Sequence, residues 1–363
     1  MQTSGQSKRS ERAVGVIPPG FRSAFGVALV VLGVTLSAAG CTTPGSTNAS
    51  APTAVMPAAA LPSWRDGPAK QTIQKFVADV TREGSPNYVP PAARIAVFDN
   101  DGTLWSEQPI YFQFAFMLDQ VKAAAPKHPE WKNNPAFKAL VAKDYGALEG
   151  LQKQVLQLVA VANSGMTVDD YDKTIRDWLA TARHPKFNRP YTDLVYQPQL
   201  ELLAYLRANG FKTFIVSGGT IEFMRPWAEK AYGIPPEQVI GSSQVVQYQM
   251  HDGQGTLVRL PKIDFVDDGP GKPVGIYRNI GRKPILAFGN SDGDLQMLQY
   301  TASGSGPHLA LLVHHDDAVR EFAYDRTSKI GKLDKAWDEA IADGWTVVSM
   351  KDDWQTIYPA PKQ

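Results

Sequence analysis

Cysteine is all but missing from this chain of 363 residues: only Cys41 is present, close to the N-terminus. One thiol cannot build an internal disulfide framework, nor a Cys-rich zinc or iron–sulfur site. Charge of one sign is lacking as well. The 37 Lys+Arg are matched by 36 Asp+Glu, so there is no basic surplus of the kind nucleic acid attracts, and no nucleic-acid partner is expected. The six histidines fall into no metal-ligand spacing. The apolar run 24–36 is shorter than the roughly 20 residues a bilayer-spanning helix needs. What is there is 43% hydrophobic and 20% charged, an ordinary globular composition over a length that suits one α/β core carrying an insertion.

The chain's first forty residues have a character of their own. Lys8, Arg9, Arg12 and Arg22 face only Glu11, the apolar run 24–36 follows, and Ser37-Ala38-Ala39-Gly40-Cys41 closes the segment. A basic stretch, a short apolar stretch and small residues at a cleavage point make up a signal peptide, read here as residues 1–40. The end of the segment resembles the lipobox of bacterial lipoproteins, with Ala38 where that motif prefers leucine. The resemblance implies a lipid on Cys41 that tethers the chain to a membrane; cleavage near Ala39 and an uncleaved anchor are the other readings. Residues 41–63 are rich in Thr, Ser, Ala, Pro and Gly. Such a segment buries too little apolar surface to offset its ordering entropy, so a flexible linker is expected. Loss of residues 1–40 removes four basic side chains and one acid, taking the formal charge from +1 to −2. The expectation is a mildly acidic domain in the bacterial cell envelope, lipid-anchored or otherwise periplasmic or secreted.

Three apolar stretches further on each run out into chemistry. Arg94-Ile95-Ala96-Val97-Phe98 stops at Asp99-Asn100-Asp101-Gly102-Thr103, Phe211–Val216 at Ser217-Gly218-Gly219-Thr220, and Pro284–Phe288 at Gly289-Asn290-Ser291-Asp292-Gly293-Asp294. Short, continuously apolar runs suit strands buried on both faces of a parallel sheet. Ligands of open α/β sheets bind beyond the carboxyl ends of such strands, so the three ends are expected to meet at one site. Asp99 and Asp101 crowd two carboxylates together, which repel unless a cation intervenes. A hard divalent ion held by oxygen suits them, together with a phosphate. Taken singly, the motifs have plainer readings: a calcium loop or surface turn, a tight Ser-Gly-Gly turn, and acids favoured by a helix dipole.

In this order, the motifs resemble those of the haloacid dehalogenase superfamily, nearest to its phosphoserine-phosphatase-like branch, over roughly residues 90–300. The resemblance implies a Rossmann-like α/β core with a mainly parallel sheet flanked by helices. It also implies a Mg²⁺-dependent phosphomonoester hydrolase working through an aspartyl-phosphate on a small phosphorylated substrate. Asp99 corresponds to the nucleophile, and Asp101 to the acid that protonates the leaving group and lends its carbonyl to the metal. Ser217 and Lys272, the latter in Gly271-Lys272-Pro273, correspond to the groups that hold the phosphoryl. Thr103, Gly218 and Gly219 are carried over as substrate contacts. Glu107 falls near a glutamate that reads the substrate's amine in that branch. Asn290 stands where the fourth motif normally has a metal-binding aspartate, and Asp292 or Asp294 is expected to supply the missing charge. A phosphotransferase or mutase sharing the intermediate, and a surface lipoprotein that binds a phosphorylated ligand with little turnover, are the alternatives.

The spacing between the first two motifs is too long for an ordinary connection. Helical periodicity over Ile110–Met117, 148–161 and 168–179 reads as an inserted helical cap over 106–189, leaving 64–105 and 190–363 as the catalytic core. A second insertion, 244–268, has apolar stretches on either side of Asp252-Gly253 and reads as a small β-hairpin flap. His314-His315-Asp316 is expected to be an exposed strand-end turn. Glu321–Tyr324 and Leu333–Ile341 read as closing helices, with a late strand over 345–348.

Overall fold

The computed structural model describes residues 61–142, 144, 151–163, 165–251 and 253–361. Residues 1–40, read above as a signal peptide, Cys41 and the expected linker as far as residue 60 lie outside the described residues. No helix among the described residues is long and apolar enough to cross a membrane.

The chain enters through α1 (Pro68–Thr81), whose Ile73, Val77 and Val80 recur at helical spacing and are buried. Its start is clipped to the other end of the chain. Ser63 donates through its N–H and Oγ to Glu201 at 2.8 and 2.7 Å, and the Trp64 ring meets Trp354 edge-on at 5.9 Å. β1 (Ile95–Phe98) is buried along its whole length. It lies parallel to both β2 (Lys212–Thr220) and β5 (Leu286–Gly289). β3 (Val239–His251) continues the sheet outward beyond β2, and β6 (Leu309–Asp316) beyond β5, both in parallel. β4 (Gln254–Phe265) pairs antiparallel with β3 as the expected hairpin, and β7 (Ala323–Tyr324) antiparallel with β6. β8 (Thr346–Ser349) adds a further parallel pair on β6. Side chains alternate across the sheet: Ala96, Phe98 and Ile215 join one buried cluster, and Ile95, Val97, Phe214 and Val216 another. Both faces are therefore covered, as a mostly parallel sheet requires.

Between Trp105 and Tyr191 the chain is helical, with α2 (Phe112–Ala124), α3 (Pro135–Val141), α4 (Gln152–Ala162) and α5 (Val168–Thr181). Val121, Trp131, Leu140 and Leu158 give this insertion a core separate from that of the sheet. α5 is started by Thr167, whose Oγ1 accepts the Asp170 N–H at 3.0 Å, one of the donors a helix cannot pair internally. The expected sites are then carried between α6 (Gln197–Ala208), α7 (Ile221–Tyr232), α8 (Gly271–Ile280), α9 (Leu295–Ala302) and α10 (Lys335–Asp343).

The plainer reading of Ser217-Gly218-Gly219 as a tight turn falls away, because β2 runs through it and Ser217 and Thr220 still pair with Gly241 and Ser242 of β3 across a register shift. Two local expectations are corrected. Glu321–Tyr324 is not helical. Its last two residues form β7, and Glu321 is buried against His315. His314-His315-Asp316 is no exposed turn; it is part of β6, with His315 only 2% exposed.

Candidate active site

Three strand ends do converge. β1 delivers Asp99, whose N–H still bonds to Phe288 O of β5 at 2.9 Å, so the nucleophile candidate is fixed by the sheet itself. The chain must then turn sharply, and Gly102 does so at φ +75°, a conformation that side-chain-bearing residues rarely adopt. Trp105 Nε1 donates to Asp101 Oδ1 at 2.9 Å, and its ring stacks on Trp227 at 4.2 Å. The Asp101 carboxyl is thus held by a buried indole.

Lys272 comes from the first turn of α8 and is 2% exposed. Its Nζ donates to Asp99 Oδ1 at 2.6 Å, Asp294 Oδ1 at 2.5 Å and the Val216 carbonyl at 3.0 Å. Burial alone would drive the ammonium to lose its proton, but Asp294 and Asp99 outweigh that and hold it charged. Burial pushes Asp99 well up, helped by Asp294, while Lys272 pulls it back. Burial likewise lifts Asp101 to about 6, against the Trp105 hydrogen bond, placing it where a carboxyl can both give and take a proton near neutrality. Ser217 is buried within β2, just before its register shift, and its Oγ accepts the Gly219 N–H at 3.1 Å. Its own proton is therefore free to meet an anion.

A cavity of ≈ 560 Å³ opens over these groups. Asp99, Asp101, Glu107, Ser217, Gly218, Gly219 and Lys272 line its chemical end, joined by Asp268. Phe114, Met117 and Val159 of the insertion and Pro261, Lys262 and Ile263 of the hairpin line the rest of it.

The remaining sequence candidates are placed elsewhere. Thr103 is fully buried and donates to Asn290 Oδ1 at 3.0 Å, so it braces Asn290 and does not line the cavity. Asn290 Nδ2 in turn donates to Glu107 Oε1 at 2.8 Å. Asp292 is turned to α10, where Oδ1 accepts the N–H groups of Asp334 at 2.9 Å and Ala336 at 3.0 Å, capping that helix. Asp294 is enclosed: besides Lys272, it accepts the backbone N–H of Asn290 at 2.9 Å and of Ser291 at 3.0 Å.

Sequence reasoning missed several neighbours. Tyr324 OH donates to Glu107 Oε1 at 2.8 Å, and Tyr232 OH to Asn100 Oδ1 at 3.0 Å. His315 Nε2 donates to the Gly102 carbonyl at 2.8 Å, with Nδ1 3.4 Å from buried Glu321, so an imidazole braces the loop that carries Asp101. Asp267 is fully buried with no side-chain partner among the described residues, and burial raises it to about 7 against the pull of Lys272. Only the pair Asp267-Asp268 at the hairpin's end hinted at this in the sequence.

Asp99, Asp101, Glu107 and Asp294 lie close enough for their charges to act on one another. Of the four, only Asp99 and Asp294 contact an ammonium among the described residues, that of Lys272; a divalent cation would relieve the crowding. Among the described residues no three acidic, histidine or cysteine side chains cage an ion unaided. A hard ion such as Mg²⁺ takes one or two carboxylates and completes its shell with backbone oxygens, water and phosphate. Asp99, the Asp101 carbonyl, Asn290 and Glu107 are the donors at hand.

Comparison with known proteins agrees with this core. The family model of haloacid dehalogenase-like hydrolases matches residues 96–299. No curated protein matches. Among solved structures, the chain is similar to a conserved protein of unknown function from Anaerococcus prevotii (18% identity, 68% of this chain and 85% of that one, TM-score 0.45). It is also similar to a protein of unknown function from Bordetella pertussis (14%, 70% and 98%, 0.45). A probable phosphoserine phosphatase from Vibrio cholerae is a further one (16%, 74% and 69%, 0.36). With more than half of its length matched by the family model, and with that match running from β1 into α9, the chain belongs to the haloacid dehalogenase-like hydrolases.

Proposed function

We propose that this protein is a Mg²⁺-dependent phosphomonoesterase that works through an aspartyl-phosphate on a small phosphorylated metabolite. The observation that carries this reading is the buried contact of Lys272 with Asp99 at the strand ends, facing a cavity that also holds Asp101 and Ser217. Lys272 counters the rise that burial gives Asp99 and so favours the ionised carboxylate, whose free oxygen would attack phosphorus. The new O–P bond forms as the ester P–O bond breaks, and Asp101, near half-protonated at about pH 6, gives its proton to the departing alkoxide. In the second displacement Asp101 takes a proton from water as the oxygen of that water attacks phosphorus and Asp99 is released. The Ser217 hydroxyl and the Gly218 N–H would donate to the phosphoryl oxygens. Mg²⁺ bound at Asp99, the Asp101 carbonyl and Asn290 would neutralise charge on the phosphoryl group.

The test is release of phosphate from a generic aryl phosphate with and without Mg²⁺, repeated with Asp99→Asn. Absence of turnover on that compound and on a broad phosphomonoester panel would sink the enzyme reading. Full activity in Asp99→Asn would remove the proposed nucleophile. Transfer of phosphate to an added alcohol in preference to water would make the protein a phosphotransferase.

We further propose export through the 1–40 segment and lipidation of Cys41, supported by the order of basic, apolar and small residues there. Intact mass and detergent partitioning of the mature chain decide it; a soluble chain beginning elsewhere than Cys41 refutes the anchor.

A further inference from the structure

Position 290 holds an amide at the mouth of a strand where charge is wanted, and the carboxylate nearest to it comes from another element. Glu107 is 1% exposed, lines the cavity beside Asp99 and Asp101, and accepts at a single oxygen, Oε1, from both Asn290 Nδ2 and Tyr324 OH at 2.8 Å. The amide orientation of Asn290 is fixed, because its Oδ1 is already taken by Thr103. Two glycines make the space. A side chain at Gly102 (φ +75°) would begin 2.4 Å from Glu107 Oε1, and one at Gly331 (φ +64°) 1.9 Å from it. Among the described residues, no lysine, arginine or histidine pairs with Glu107. A buried carboxylate facing other carboxylates is costly to keep without a cation, yet here five residues from three parts of the chain are arranged to receive it.

We infer that Glu107 supplies the anionic oxygen of the divalent-cation site that Asn290 cannot, while Asn290 and Tyr324 aim it. The inference rests on the proposed Mg²⁺-dependent reading and assigns the charge of that site: Asp99 and Glu107 carry it, and Asn290 orients.

The experiment is a swap of charge between the two positions, read by binding. Mg²⁺ affinity is measured by calorimetry and Mn²⁺ affinity by electron paramagnetic resonance on the purified chain. Glu107→Gln should weaken binding about tenfold or more. The double variant Glu107→Gln/Asn290→Asp reverses donor and acceptor, keeps the 107–290 hydrogen bond and restores the charge, and should bind within about threefold of the parent. Thermal unfolding of each variant shows whether it is folded. Parent-like affinity in folded Glu107→Gln overturns the inference, as does a double variant no better than the single one. A parent chain that takes up neither ion overturns it together with the Mg²⁺ requirement. Parent-like affinity in Glu107→Gln alongside intact Mg²⁺-dependent turnover removes the role of Glu107 alone.

Discussion

The two ends of the ≈ 560 Å³ cavity are built on opposite plans. The chemical end is built from β1 and the loop after it, from β2 and from the first turn of α8; Asp99, Glu107, Ser217 and Lys272 are buried there, and Lys272 joins Asp99 to the Val216 carbonyl. The far end is made of apolar side chains from a helical insertion and a hairpin, with Lys262 as its one charged member among the described lining residues. Polar groups buried in a network are held in place because each loses heavily if its partner is removed. Apolar surface tolerates exchange so long as volume is kept. The first end therefore fixes what reaction is done, and the second is where the choice of substrate resides.

That contrast can be broken by substitutions, beginning with the largest. Asp99→Asn should reduce turnover about 10⁴-fold or more, measured by phosphate release, with the fold unchanged by circular dichroism. Lys272→Met should lower kcat about 10²- to 10³-fold. It also leaves Asp99 and Asp294 buried without their ammonium, so urea unfolding should show a loss of about 3–5 kcal/mol. At the far end, Met117→Ala combined with Ile263→Ala should alter the ranking of phosphomonoesters by about tenfold in relative kcat/KM. Turnover of a small aryl phosphate should stay within about twofold of the parent. A collapse of kcat there would show that the two ends are not separable.

The smallest effect concerns Asp267, whose carboxyl rises from an ordinary 3.8 to about 7 on folding because it is buried. The folded state holds this proton more tightly, so the group favours folding most below its unfolded value and that support is lost as pH rises through about 7. Asp267→Asn should thus raise Tm by about 5 °C at pH 8, and by progressively less towards pH 4. An equal gain at both pH values would mean that its charge is not what matters.

The chemical end was legible in the sequence, and the physical reason is plain. A strand buried on both faces must be continuously apolar, so Ile95–Phe98 and Leu286–Gly289 announce themselves, and the polar residues that interrupt them stand at the ligand edge. Lys272 was recognisable from its motif, though not its triple contact. The supports were not legible. Tyr324 reaches Glu107 across 217 residues, and His315 reaches Gly102 across 213; nothing local marks either. Glu321–Tyr324 was misread because its short pattern fits a helix, whereas pairing of Tyr324 with His315 decides for a strand. Asp292 illustrates the same limit. An acid next to a helix start is favoured by the dipole, but which helix it caps is settled only when α10 packs beside it.

The clip between the two ends of the described chain has a consequence for timing. Arg65 N–H bonds to Asp353 O and Gln355 N–H to Ser63 O, both at 2.8 Å, so the first described residues are sealed by some of the last. During synthesis the central strand can meet its first neighbour, β2, long before Trp354 exists to meet Trp64. Contacts of such long sequence separation close late, since the entropy of the whole intervening loop must be lost first. The Trp64–Trp354 latch is therefore expected to close after the central strands have paired.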